Sequence, residues 1–174
     1  MNTTDTVALG AWLSELRGKK GYSLSGLAEA AGLAKSNLSR IERGQANPTL
    51  DTLWRLARAL DLPFGTLVAP VIGTLIEQGI EVQLIAQNTT DAPMDLYLMR
   101  LPAGAIRTSE PHPAGTRERV TVINGALVTG PLNAPVSLAA GGTHAFDAGQ
   151  AHHYRARVES EALVEIHYVP RAST

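Results

Sequence analysis

Two stretches of this chain concentrate residue types able to do chemistry. The first, Lys35-Ser36-Asn37-Leu38-Ser39-Arg40, sets hydrogen-bonding side chains around one apolar position. An arginine in such a setting offers a two-pronged donor that matches O6 and N7 of guanine. The second lies in the later half, where EPHPAGTRERVTVINGAL and GGTHAFDAGQAHHY gather histidines and carboxylates. Imidazole and carboxylate groups bind divalent transition metals, and the same groups can line a pocket for a small organic effector. His153 directly follows His152, so on a strand the two point to opposite faces. Cysteine is absent, which excludes disulfides and thiolate metal sites.

The elements that must position these residues differ between the two halves. Leu9, Leu13 and Leu16 recur at helical spacing, and Lys19, Lys20 and Gly21 end that run. Ser23 is a good N-cap for a second helix whose apolar stripe is Leu24, Leu27, Ala28 and Ala31. Gly32 follows where a helix-ending glycine belongs. A third helix turns Leu38 and Ile41 inward and stops at Gly44. Asn47 or Thr49 caps a fourth, marked by Leu50, Leu53, Leu56, Ala57 and Leu60, and a short fifth runs from Pro63 to Val68. After Pro70 the pattern predicts strands at 80–86, 95–101, 119–123, 127–129, 136–138, 143–146, 153–157 and 163–169. Many short strands between turn signals point to a sandwich or small barrel. The expected domains are 1–70 and 71–174, with the boundary near residues 69–77.

Bulk properties bound the function. The chain has 174 residues, enough for two small domains, and 44% of them are hydrophobic. The formal net charge is −1, so the whole chain shows no strong pull toward a polyanion. Residues 1–70 carry a balance of +2 and residues 71–174 one of −3, which directs any nucleic acid to the first half. No apolar run reaches the roughly 18 residues of a membrane span. The opening MNTTDTVALG lacks the basic start and apolar core of a secretory signal, so a cytoplasmic protein is expected.

The spacing of helices two and three is the sharpest signal. Small residues at the end of helix two, Gly32 in the turn and a third helix two residues later let one helix brace against DNA while the next enters the major groove. The stretch SLSGLAEAAGLAKSNLSRIERGQANPTLDTLWRLARALDLP resembles the Cro/repressor-like (XRE) family of helix-turn-helix regulators over residues 9–68. The resemblance implies that Lys35, Ser36 and Arg40 face base edges, with Asn37 and Ser39 beside them. It places Arg43, Gln45 and Asn47 at phosphate-contacting positions, and makes Arg17 and Glu42 a structural salt bridge. Leu24 stands where many relatives carry a polar phosphate contact, so that contact is either lost or shifted to Ser23 or Ser25.

Residues 90–170 resemble the cupin superfamily. Gly104, Glu110, His112, Glu118 and Gly125 follow the first cupin pattern, and Gly149 and His152 the second. The resemblance implies a double-stranded β-helix, or jelly roll. The fold class expected is therefore α+β: an all-α five-helix helix-turn-helix domain followed by an all-β cupin barrel. Full cupin sites use three imidazoles and a carboxylate. Here Glu110 replaces the first histidine, five residues separate His112 from Glu118, and Asp147 stands where the second pattern often has proline. His112, Glu118 and His152 are candidate ligands of a divalent transition metal or of a small effector, with Glu110 as a fourth candidate. Arg117 and Arg119 flank Glu118, and an anionic effector or a surface salt bridge suits them equally. His144 and His167 are expected on the strand surface, and Trp54 in packing.

The combined expectation is a non-enzymatic transcription regulator that binds a double-stranded DNA operator, as a homodimer, under control of an unknown small-molecule or metal effector, with no membrane partner. A purely dimerising barrel and a cupin metalloenzyme with a DNA-binding head are the alternatives.

Overall fold

A computed structural model describes residues 3–71 and 74–169. The chain divides into two compact units, Met1–Leu75 and Ile76–Thr174.

The first unit is helical: α1 (Thr3–Lys19), α2 (Leu24–Ala30), α3 (Lys35–Glu42), α4 (Leu50–Ala59) and α5 (Phe64–Val68). Leu9, Leu13, Leu27, Leu38, Ile41, Leu53, Leu56 and Phe64 are all essentially inaccessible and form one core. Ser23 caps α2 by accepting from the Gly26 N–H, at 3.0 Å. Gly32 adopts φ +63°, which lets its own N–H and that of Leu33 close back onto Glu29 and Ala28. That left-handed residue ends α2 and turns the chain directly into α3. Of the two candidate caps of α4, Thr49 is the one used; its side chain accepts from the Thr52 N–H at 3.2 Å.

The second unit is all-β. Its strands are β1 (Leu75–Glu77), β2 (Ile80–Asn88), β3 (Met94–Leu101), β4 (Ile106–Ser109), β5 (Arg117–Asn124), β6 (Ala126–Pro131), β7 (Val136–Ala139), β8 (Thr143–Asp147), β9 (His152–Ala156) and β10 (Ser160–His167). They form a six-stranded sheet, β1-β2-β3-β10-β5-β8, and a four-stranded sheet, β4-β9-β6-β7. Strands β3 to β10 are thus shared between two antiparallel four-strand blocks, β3-β10-β5-β8 and β4-β9-β6-β7, with β6 and β7 forming a hairpin inside the second. This is the order of a jelly roll, the architecture of cupin barrels. Gly125, the last glycine of the first cupin pattern, sits at φ +79°, and a Cβ there would collide with the backbone of Glu159 and Ser160.

The register grades the interior from apolar to polar. At one end Val122, Ala162, Met99, Leu127 and Ala156 face inward; at the other, Glu118, Ser109, His152 and Asp95 do. Two strands escaped the sequence pattern. β4 turns Arg107 and Ser109 inward and Ile106 outward, the reverse of ordinary alternation. β1 is only three residues long and pairs with β2 across the two-residue turn Gln78–Gly79. The last two strands begin earlier than expected, β9 at His152 and β10 at Ser160.

Candidate functional site

The helical unit presents one built face. Leu38 and Ile41 bury the inner side of α3, while Lys35, Ser36, Asn37 and Arg40 are exposed and Ser39 is half-buried. Arg43, Gln45 and Asn47 are exposed on the turn that follows. Ser23 is also exposed, with its hydroxyl engaged as the α2 cap. α3 is held from behind: Arg17 donates from Nε to Glu42 Oε1 at 2.6 Å and from a second nitrogen to Oε2 at 3.0 Å. A third arm of the same guanidinium reaches the Tyr22 carbonyl at 3.0 Å. One arginine thus ties the end of α3 to α1 and to the entry of α2. Arg40 folds back toward the Gln45 carbonyl, a long contact of 3.5 Å that leaves the guanidinium available.

The barrel brings three of its sequence-designated residues together. His112, Glu118 and His152 are all buried, and one ligand atom from each lies within 4.8 Å of the others. Nε2 of His112 is 3.6 Å from Glu118 Oε2, and Nε2 of His152 is 3.5 Å from the same oxygen. Metal–ligand bonds of about 2.1 Å in tetrahedral geometry separate neighbouring ligand atoms by about 3.4 Å. The observed separations therefore fit a shared cation.

Each of the three side chains is held in place by a neighbour. β5 carries Glu118 inward, and Tyr154 on β9 donates its hydroxyl to Glu118 Oε1. The other oxygen, Oε2, is buried with no hydrogen-bond partner among the described residues. His152 Nδ1 lies 2.9 Å from the Gln150 carbonyl, which can only accept, so Nδ1 carries the proton and Nε2 turns its lone pair inward. Nε2 likewise has no partner among the described residues. His112 is placed by its own backbone, whose N–H donates to the Ala148 carbonyl at 2.9 Å. Burial holds the His112 imidazole below its ordinary value, against the pull of Glu118. Burial would raise the Glu118 carboxyl, but His112, His152 and the Tyr154 hydroxyl outweigh it and hold it low, so it stays ionised. Burial and then the Glu118 charge push the Tyr154 hydroxyl well up, which keeps it a donor. A buried anion facing two imidazoles, that of His152 with its lone pair turned inward, has the donor chemistry of a divalent-cation site.

Glu110 does not join the three. β4 ends with Ser109 facing inward, so Glu110 turns away before Pro111 redirects the chain to His112. Arg117 and Arg119 point outward, and Arg119 lies 3.6 Å from Glu165 on the surface. His167 is exposed beside Glu165, His144 stacks on Phe146 and His153 faces away from His152. Trp54 stacks on Phe64 at 4.3 Å between ring centroids. The sequence reading missed Tyr154, Arg107 and Thr129. Alternation from His152 along β9 was the available signal for Tyr154; the other two needed the register.

The family model HTH_3, helix-turn-helix, matches residues 13–67. The HTH-type transcriptional regulator SutR of Escherichia coli (strain K12) is 38% identical over 125 residues, 68% of this chain and 70% of that protein. The chain belongs to the XRE-like helix-turn-helix transcriptional regulators. SinR of Bacillus subtilis (strain 168), another HTH-type transcriptional regulator, is 48% identical over 61 residues, 34% of this chain and 55% of its own length. The crystal structure of an HTH_3 family transcriptional regulator from Vibrio cholerae has a TM-score of 0.87 at 25% identity, covering 98% of this chain and all of that one. In a helix-turn-helix regulator the second helix of the motif, here α3, is the one that reads the major groove. No helix among the described residues is long and apolar enough to cross a membrane.

Proposed function

We propose that this regulator binds its operator as a homodimer and that its barrel senses a divalent transition metal, alone or with a small molecule on it. Lys35, Ser36 and Arg40 read base edges, with Asn37 and Ser39 beside them. Arg43, Gln45, Asn47 and Ser23 meet phosphates. His112, Glu118 and His152 would hold the metal, which would supply a Lewis-acidic centre for an oxygen donor. The observation that carries the sensing role is Glu118 Oε2, a buried carboxylate oxygen facing two imidazoles with no hydrogen bond of its own among the described residues. The relatives' names as regulators support a non-enzymatic role, and a DNA partner is in keeping with a cytoplasmic protein. One helix-turn-helix unit contacts a single half-site, which is why a two-fold pair is needed for useful affinity.

The test is DNA binding by the chelator-treated full chain, on a duplex selected from random sequence, with and without Zn²⁺, Ni²⁺, Mn²⁺ or Fe²⁺. One of these metals is expected to bind at about one ion per chain and to shift operator affinity by roughly 5–150-fold. Absence of stoichiometric metal together with unchanged DNA affinity would overturn the sensing role and leave the DNA-binding role standing.

A further inference from the structure

Beside the triad the barrel interior holds a charged group that metal binding does not use. Arg107 lies on β4 with its side chain buried, and the register sets it opposite Tyr154 on β9, which in turn faces Thr129 on β6. Arg107, Tyr154 and Thr129 therefore form one inward row across three strands. His152 and Ser109 form the next row, about 7 Å along the strands. Thr129 Oγ1 is fully buried and has no hydrogen-bond partner among the described residues. The Arg107 guanidinium is close enough to act electrostatically on both His112 and Tyr154. Its ion-pair partner is Glu77, at 2.8 Å. Glu77 ends β1, and eight residues separate it from the end of α5 at Val68.

We propose that Arg107 and Thr129 are the anion-binding end of the barrel, taking the carboxylate of a small, oxygen-rich organic acid whose second oxygen donor reaches the metal on the triad. This rests on the metal reading of His112, Glu118 and His152. A divalent metal and Arg107 balance Glu118, Glu77 and the buried Asp95, so an incoming carboxylate has to take the place of an acid already at Arg107. The guanidinium is a fork that matches a carboxylate, and Glu77 already holds the position such a carboxylate would take. An incoming acid thus competes with Glu77. Its binding releases the Glu77 side chain, while β1 stays paired with β2.

The experiment uses the metal-loaded full chain and L-malate as the probe, with the uncharged diamide malamide as control. Binding is read by calorimetry, and metal content is measured in each protein. Malate is expected to bind and malamide not. Glu77→Gln removes the competitor and is expected to tighten malate binding at least several-fold. Arg107→Gln is expected to weaken it by roughly 10- to 100-fold, the loss of a charge-assisted hydrogen-bond pair. Arg107→Lys, which keeps the charge and loses the fork, is expected in between, and guards against a misfolded Arg107→Gln. Equal malate affinity in wild type and Arg107→Lys and Arg107→Gln, weaker binding by Glu77→Gln, or no binding by either wild type or Glu77→Gln each overturns the proposal. Wild-type protein that takes up no metal counts against the triad reading instead, and Arg107-dependent malate binding by that metal-free protein would keep the anion site.

Discussion

His152 Nε2 stands 3.5 Å from Glu118 Oε2, on the lone-pair side of a ring whose Nδ1 proton is committed to the Gln150 carbonyl. With the ring in that tautomer neither atom has a proton to offer the other. An anion and a lone pair face each other in a buried setting, and a cation between them is the simplest relief. Tyr154 removes the alternative in which Glu118 rotates away, because it holds Oε1.

Glu118→Gln should therefore lose stability both with and without metal. The fold holds the Glu118 carboxyl below its ordinary range, so replacing the ionised group by a neutral amide is expected to lower the stability of the metal-free protein. The same change removes a ligand, so the gain of about 3–4 kcal/mol expected from metal at 100–1,000 times its Kd should vanish. Thermal unfolding of wild type and variant, each with chelator and with metal, measures both effects. A variant at least as stable as wild type in chelator would contradict the stabilised carboxylate.

Acid should destabilise the metal-free protein in two separate steps. His112 in the fold lies below its ordinary 6.5, chiefly through burial, so the unfolded chain takes up its proton first. Its contribution is complete above about pH 6.5 and is lost as pH falls toward the folded value. Glu118 lies below its ordinary 4.5, so its contribution is complete above that and is lost at lower pH. His153 is also lowered, mostly by burial, and adds to the upper step with the same sign. Melting temperature recorded in chelator should be flat from pH 8 to 7 and fall below 6.5. His112→Gln should shrink that upper fall. A melting temperature that rises on acidification from pH 7 to 5.5 would contradict the assigned directions.

The sequence exposed some of this and hid the rest for identifiable reasons. The helices were legible because Leu9, Leu13, Leu38, Ile41, Leu53 and Leu56 repeat at helical spacing and Ser23, Gly32 and Thr49 mark the ends. His112, Glu118 and His152 were legible as candidates through the cupin patterns, although their convergence is a product of three different strands and loops. Glu110 was grouped with them because it sits two residues from His112, and strand alternation ending at Ser109 separates it. β4 was invisible because its buried residues are Arg107 and Ser109, so hydrophobic alternation has nothing to detect. Arg107, Tyr154 and Thr129 come together only through antiparallel register, which single-sequence patterning does not encode.

Arg40→Ala should weaken operator binding by about 1–3 kcal/mol and relax the preference at one base pair, if the guanidinium grips a guanine edge. In the free protein its guanidinium touches the Gln45 carbonyl at 3.5 Å, and breaking that contact costs little. Binding should be compared on the selected duplex and on random duplex at one fixed salt concentration. An equal loss on both would assign Arg40 to a phosphate instead, with Lys35 and Ser36 left as the base readers.

Two glycines on α1 should respond to alanine with opposite signs. A Cβ at Gly10 would stand 2.5 Å from the Ile41 carbonyl oxygen and 2.7 Å from that of Glu42, so Gly10 is what lets α1 lie against the end of α3. Gly10→Ala must push the two helices apart or bend one of them, at a cost of about 1–3 kcal/mol. Because that contact sits at the Glu42 end of α3, where Arg17 anchors it, the shift also moves the DNA-reading face. Gly18 has no atom within 4 Å of a built Cβ, so Gly18→Ala meets nothing and gains about 0.5–1 kcal/mol from helix propensity. Thermal unfolding should order the proteins Gly18→Ala above wild type above Gly10→Ala, with operator affinity reduced only in Gly10→Ala. If Gly10→Ala unfolds and binds DNA like wild type, α1 and α3 do not pack as closely as described, and the Arg17–Glu42 pair loses its role in aiming α3.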